Sequence, residues 1–242
     1  MIADRESGTR IDEIADGIYR IASPVPPSVV PGGFSFNQML IVDDEPLLFH
    51  TGLRHLFPQV RDAIARVMPV ERLRWISFSH FEADECGALN DFLAVAPRAE
   101  PLCGTIAAMV SINDVADRPA RTLADGEAMS LGRHAVRWFD TPHLPHAWEC
   151  GFLVEETTRT LLCGDLFTDG GADHAPLTSD DILEPSERFR HQLDYYSHTK
   201  GARAMLDRLA DQRPTTLARM HGSAWQGDGA ALLRALADRL EA

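Results

Sequence analysis

Basic side chains are scarce relative to acidic ones: 23 Lys and Arg stand against 36 Asp and Glu in 242 residues, a formal charge of −13. A surface of that sign repels nucleic acid and anionic lipid headgroups, so neither is an expected partner. Most of the acidic excess is ordinary solvated surface. The opening residues, Met1-Ile2-Ala3-Asp4-Arg5-Glu6, show no basic stretch leading into an apolar one, so no signal peptide is read there. No uninterrupted apolar run approaches the ~20 residues that span a bilayer. Cysteine is rare too. Cys86, Cys103, Cys150 and Cys163 are scattered without a CxxC spacing, which argues against a disulfide framework and fits reduced, buried thiols in a cytoplasmic protein. Low-complexity tracts and an obvious linker are also missing, so a single domain over 1–242 is the economical expectation.

What is present is ample apolar material, 45% of the residues, which is enough for a substantial core. Ile14 to Ile21 reads as an extended segment, followed by the Pro and Gly punctuation of Pro24 to Gly33. Asn37 to Val42 and Pro46 to His50 read as a hairpin turning at Asp43-Asp44. From Phe57 the period becomes helical, with Val60, Ile64 and Val67 on one face and Pro58 in the first turn. Leu73 to Phe78 reads as a largely buried strand, and a second helix follows Asp84. Further on come a strand at Val136 to Phe139 and a hairpin of Phe152 to Val154 with Thr160 to Cys163. A helix around Arg188 to Leu209, a short strand at Thr216 to Met220 and a closing helix at Ala230 to Leu240 complete the chain.

Four of these strands end in a residue able to bind a metal. His80, Glu82, Asp84 and Glu85 follow Phe78; His143 and His146 follow Phe139; Asp165 ends the later hairpin; His221 ends the last strand. Taken singly, each has an ordinary explanation, since an Asp after Gly is often a turn residue and carboxylates suit a helix N-terminus. Taken together they are harder to dismiss. Six or seven imidazoles and carboxylates converging from separate strands would form a costly buried charge cluster without a cation. Four carboxylates match the charge of two divalent ions, and Asp165 could bridge them with its two oxygens. A carboxylate-rich donor set suits iron or manganese, whereas an imidazole-dominated one would lean to zinc.

The order His80-x-Glu82-x-Asp84, His146, Asp165, His221 resembles the metallo-β-lactamase superfamily, whose usual first motif is H-x-H-x-D-H. It is most similar to the diiron branch, the lactamase-like domain of flavodiiron proteins and stand-alone oxygen-binding diiron proteins, where glutamate replaces the second histidine, as Glu82 does here. The likeness runs from Ile18-Tyr19-Arg20 through Thr51-Gly52 to His221-Gly222-Ser223, and the 19-residue spacing from His146 to Asp165 agrees with it. It implies an α/β fold, a four-layer αβ/βα sandwich of two mixed sheets flanked by helices. It also implies two iron ions, with zinc or manganese as alternatives. His80, Glu82 and His146 would hold one ion, Asp84 and His221 the other, and Asp165 would bridge. Tyr195-Tyr196 falls where the branch carries a paired tyrosine near the site, so Tyr195 is a candidate beside the metals; two aromatics on a helix is the plainer alternative.

Three departures qualify the likeness. Glu85 stands where the superfamily has its final histidine; ligating the second iron, bonding a metal-bound water and pointing away all stay open. His143 is an extra ligand or an outer donor if it is not a bystander. His50 replaces a customary aspartate and is expected to support the site without ligating. The resemblance implies a protein that binds dioxygen, as a sensor or as an oxygen-reducing component. With no flavodoxin or rubredoxin domain expected in 1–242, electrons or signals would pass through a separate donor or signalling protein. The head-to-tail homodimer of flavodiiron proteins brings flavin to iron, so without that domain the oligomeric state is open. The alternative is a metal-dependent hydrolase of an ester, thioester, lactone or phosphoester, with a small-molecule substrate attacked by a bridging hydroxide and Asp84 or Glu85 as base.

Overall fold

The computed structural model describes residues 2–3 and 7–241; Met1, residues 4–6 and Ala242 lie outside the described residues, and with them most of the stretch from which the absence of a signal peptide is read. The first sheet follows chain order: β1 (Ile2–Ala3), β2 (Arg10–Ala15), β3 (Ile18–Val25), β4 (Phe34–Ile41), β5 (Leu47–Phe49), β6 (Trp75–Ser77), β7 (Glu100–Gly104) and β8 (Arg121–Leu123). It is antiparallel as far as β5 and parallel from β5 to β8. The second sheet contains β9 (Ala128–Ser130), β10 (Ala135–Asp140), β11 (Gly151–Glu155), β12 (Thr160–Leu162), β13 (Leu177–Thr178), β14 (Thr216–Ala218) and β15 (Ala224–Gln226). Its spatial order is β13-β15-β14-β12-β11-β10-β9, with parallel pairing at β12–β14 and β13–β15.

Helices cover the outer face of each sheet. Against the first lie α1 (Phe57–Ala65), the short α2 (Ala83–Cys86) and α3 (Leu89–Val95). Two further short pieces, α4 (Thr105–Ala107) and α5 (Asn113–Val115), are joined by a π-helical turn over Ala108–Ile112. Against the second sheet lie α6 (Leu183–Leu193), α7 (Ala202–Ala210) and α8 (Gly229–Glu241). The period of two along a strand separates the cores. On β4 and β5, Leu40 and Leu48 join Val60, Ile64, Phe92 and Leu93 under the helices. Their neighbours Met39, Ile41, Leu47 and Phe49 turn inward to meet Trp138, Leu153 and Leu162 between the sheets. A third core seats Leu206, Leu209, Leu233 and Leu236 on Val154, Leu161 and Leu217. Three apolar layers between four structural ones make the αβ/βα sandwich that the resemblance implies.

The structure corrects the sequence reading in three places. Ile14 to Ile21 is interrupted by a turn at Gly17 (φ 68°), whose N–H reaches Glu13 Oε1, so it belongs to two strands, β2 and β3. The strands β1, β7, β8, β9, β13 and β15 were not expected; each is short, and β8 and β9 leave side chains exposed, which blurs their alternation. The helix expected over Arg188 to Leu209 is two helices. Asp194 ends α6 in the left-handed conformation (φ 49°), and the chain stays irregular until Gly201.

One buried polar pair ties the end of β11 and its turn into β12 to the residue that precedes β10. Glu155 accepts hydrogen bonds from the Thr158 hydroxyl and the Thr157 and Thr158 N–H groups, and lies 3.0 Å from His134 Nδ1. Burial pushes its carboxyl up, but these donors more than offset that and hold it below the ordinary value. A depressed folded pKa contributes stability that is present above the unfolded value, about 4.3, and is lost as pH falls through the folded one. Glu155→Gln is therefore expected to cost about 1–3 kcal/mol at pH 7. In urea denaturation the gap to the wild type should shrink below about pH 4; a gap unchanged at pH 3 would contradict this account.

Candidate metal centre

The carboxyl ends of β5, β6, β12 and β14 meet at one edge of the sandwich. β6 delivers Ser79 and His80, and α2 begins directly after Glu82. Glu82 has extended backbone angles and makes no side-chain cap to that helix, which frees its carboxylate to reach His146 Nε2 at 3.1 Å and His80 Nε2 at 3.5 Å. Thr51, after β5, fixes the other end of α2: its N–H and hydroxyl both bond to the Glu85 carbonyl, and its hydroxyl oxygen accepts from Ala88 N–H. Across the interface, Asn37 on β4 donates through its amide to the carbonyls of Arg219 and Gly222, and Arg20 on β3 donates to the same Gly222 carbonyl. Gly222 has φ 95°, and a Cβ there would meet the Arg219 guanidinium at 2.8 Å, so glycine is required for the turn that presents His221.

The donor atoms fall into two groups joined by one carboxylate. His80 Nε2 and His146 Nε2 lie 2.9 Å apart, and Asp165 Oδ2 is 3.7 Å from the first and 3.5 Å from the second. The other Asp165 oxygen, Oδ1, faces His221 Nε2 at 3.3 Å, and Asp84 Oδ2 faces the same nitrogen at 3.6 Å. Two ligands bound about 2.1 Å from one ion stand roughly 3–3.5 Å apart. The 2.9 Å contact is of hydrogen-bond length, whereas the separations of 3.3–3.7 Å fit donors aimed at shared points between them better than direct hydrogen bonds.

The orphaned atoms point the same way. Glu85 is fully buried, both its oxygens lack a hydrogen-bond donor, and Oε2 is 3.9 Å from His80 Nε2. It therefore faces the cluster instead of pointing away. Asp165 Oδ1 likewise lacks an aligned donor. Such groups are costly in a protein interior unless a proton or a cation satisfies them. Burial, with the negative charges of Asp165 and Asp84 beside it, pushes the Glu85 carboxyl well above the usual range. Hydrogen bonding to His146 and His80 takes Glu82 down to about 2. Burial opposes ionisation of Asp165, but His221, His80 and His146 together hold its carboxyl well down. Burial also works against protonation of His146 and His221; Glu82 and Asp165 raise the first, and Asp165 and Asp84 raise the second.

Other candidates find different places. Tyr195 sits in the irregular stretch between α6 and α7, where its hydroxyl donates to the Asp165 carbonyl at 3.1 Å and its ring meets His146 edge-on. Burial keeps that hydroxyl protonated, with its pKa raised. His143 is exposed and lines a small cavity with Arg190, Tyr196 and His198, so it is not among the converging donors. His50 is buried beneath the site with its pKa lowered to about 3 by burial, and therefore neutral. Several supporting groups have no sequence signal. Ser35 offers its carbonyl to His221 Nδ1 at 2.8 Å, which leaves Nε2 free, Phe34 packs on the His221 ring, and Glu149 accepts the Phe81 N–H.

The fold and this donor set define a flavodiiron-like lactamase domain with a candidate His/Asp/Glu metal site. The family described as ODP family beta lactamase matches residues 34–222, and the chain belongs to it. Rubredoxin-oxygen oxidoreductase of Megalodesulfovibrio gigas is 25% identical over 177 residues, covering 72% of this chain and 40% of that protein. The metal-soaked Flv1 flavodiiron core of Synechocystis sp. PCC6803 superposes with a TM-score of 0.79 at 19% identity, over 96% of this chain and 60% of that one. The flavodiiron protein of Giardia intestinalis gives 0.77 at 18% identity, over 96% and 59%. The chain thus spans less than half the length of the first relative and about three fifths of the other two.

His80→Ala, His146→Ala and Asp165→Ala are each expected to abolish dinuclear metal binding, measured as metal per chain by elemental analysis. Two metals retained in any variant would remove that residue from the ligand set. If Glu85, whose carboxyl is pushed well above the usual range, coordinates a metal, it must first release its proton, so metal affinity should rise with pH, by about tenfold per unit while the acid form persists. Glu85→Gln should lessen that rise in competitive metal titrations between pH 6 and 8; an unchanged slope would set Glu85 aside.

Proposed function

We propose that this chain binds dioxygen at a pair of iron ions held by His80, Glu82 and His146 on one side and Asp84 and His221 on the other. Asp165 spans the two, and Glu85 completes the buried half. The observation that supports it best is the Asp165 carboxylate, whose oxygens face separate imidazole groups at 3.3 and 3.5 Å. An iron pair in such a frame supplies the electrons and open positions needed to bind and reduce dioxygen. The residues around it do the rest. Tyr195 presents its hydroxyl as a donor at the Asp165 carbonyl, Phe34 and Phe36 flank His221 and limit water on that side, and half-exposed Glu82 stands at the mouth. The M. gigas relative is by name an oxygen oxidoreductase, which fits this reading. Electrons come from a donor outside the described residues.

Hydrolysis at the same centre is the competing reading. Glu82 in place of an imidazole disfavours it, because an anionic donor lowers the Lewis acidity expected of a zinc site. Protein purified without added metal should carry two irons per chain, and the anaerobically reduced form should develop a visible absorption band on exposure to oxygen. Two zinc ions, no oxygen-dependent spectrum and turnover of a chromogenic ester would overturn the proposal.

A further inference from the structure

Beneath His80 lies a short chain of polar groups that none of the proposed ligands accounts for. His80 Nδ1 is 2.9 Å from Ser79 Oγ, and Ser79 Oγ is 3.1 Å from His50 Nε2. The Ser79 backbone N–H also donates to His50 Nε2, at 3.2 Å. On its far side His50 Nδ1 meets the thioether of Met220 at 2.9 Å. All four residues are buried, none more than 2% exposed.

Hydrogen-bond direction follows from who must donate. His50 Nε2 accepts a backbone N–H, so its proton sits on Nδ1 and is directed at the Met220 sulfur. If His80 binds a metal through Nε2, its own proton is on Nδ1 and is donated to Ser79 Oγ. The serine hydroxyl can then turn its own proton toward His50 Nε2, sharing that nitrogen's single lone pair with the Ser79 backbone N–H as a bifurcated acceptor. The run His80 Nδ1–H to Ser79 Oγ–H to His50 Nε2, and His50 Nδ1–H to Met220 Sδ, is complete, unidirectional and uncharged.

Two features show that the arrangement is built. His50 has a left-handed backbone (φ 66°), an uncommon conformation for a residue with a Cβ that persists only where its surroundings hold it. Gly164 packs so tightly on Ser79 that a Cβ there would lie 2.8 Å from Ser79 Oγ. The residue preceding the bridging Asp165 thus leaves room for the hydroxyl.

We propose that His50 and Ser79 are positioning residues which, through a neutral relay anchored on Met220, fix the tautomer of His80 and aim its Nε2 at a metal. The inference rests on the metal-centre reading, though on neither iron nor oxygen, so zinc tests it equally. In wild-type protein loaded with zinc, long-range proton–nitrogen NMR should show His80 and His50 both protonated on Nδ1. Ser79→Ala and His50→Leu should each weaken zinc binding at the His80 site by about tenfold or more in chelator competition. His50→Asp, which keeps an acceptor for the serine hydroxyl, should restore most of the affinity. A proton on His50 Nε2, or wild-type zinc affinity in both Ser79→Ala and His50→Leu, would overturn the proposal. If either variant fails to fold, the wild-type NMR decides. Wild-type protein that takes up no zinc, manganese or iron would instead sink the metal-centre reading itself, and the relay with it.

Discussion

The Asp165 carboxylate, held between two sets of imidazoles in a site with almost no solvent, is the constraint on which the rest of this structure turns. An anion there is tolerable only because positive character surrounds it on both sides. His221 reaches it from β14, His80 from β6 and His146 from the loop after β10, so both sheets must present their ends at the same edge. The inter-sheet core of Met39, Phe49, Trp138, Leu153 and Leu162 sets the spacing of those ends. Asn37 and Arg20 then tie the β14 turn of one sheet to β3 and β4 of the other. The polar contacts at the edge are as much a part of sheet packing as of the site.

Charge is distributed unevenly across the cluster. Glu82 and Asp84 are partly exposed, whereas Glu85 and Asp165 are closed off. The exposed pair can meet solvent directly. The closed pair cannot, and Glu85 in particular has no donor to replace the water it lost. Its carboxyl is pushed well above the usual range, and a cation bound there would displace its proton. On the reading proposed above, metal occupancy and protonation of the buried pair would be coupled.

Much of this was legible in the sequence, and the boundary is instructive. His80, Glu82, Asp84 and Glu85 stand in a local run at a strand-to-helix junction, so spacing alone placed them together. His146, Asp165 and His221 were readable because each terminates an apolar strand. What the sequence hid involves partners far apart in the chain or side chains of ordinary type. His50 and Met220 are separated by 170 positions, Ser35 acts through a carbonyl that every residue has, and Ser79 is an unremarked serine beside a histidine. The helix break at Asp194 was hidden too, because apolar residues of α6 and α7 keep a helical spacing across a segment that is irregular. That break is what brings Tyr195 to Asp165, so the error in local structure and the uncertainty about the tyrosine had one cause.

The two histidines at the ends of β6 and β14 illustrate how the outer environment of a ligand differs across one centre. His221 gives its Nδ1 proton to a backbone carbonyl, Ser35, which is neutral and fixed by the β3–β4 pairing. His80 reaches a side chain, Ser79, and through it His50. The group one hydroxyl away from His80 is a neutral ring. Both imidazoles thus lean through Nδ1 on uncharged acceptors. The anionic character of the centre then comes from the carboxylates facing it: Glu82, Asp84, Glu85 and Asp165. On the reading proposed above, that donor set would suit hard, multiply charged ions.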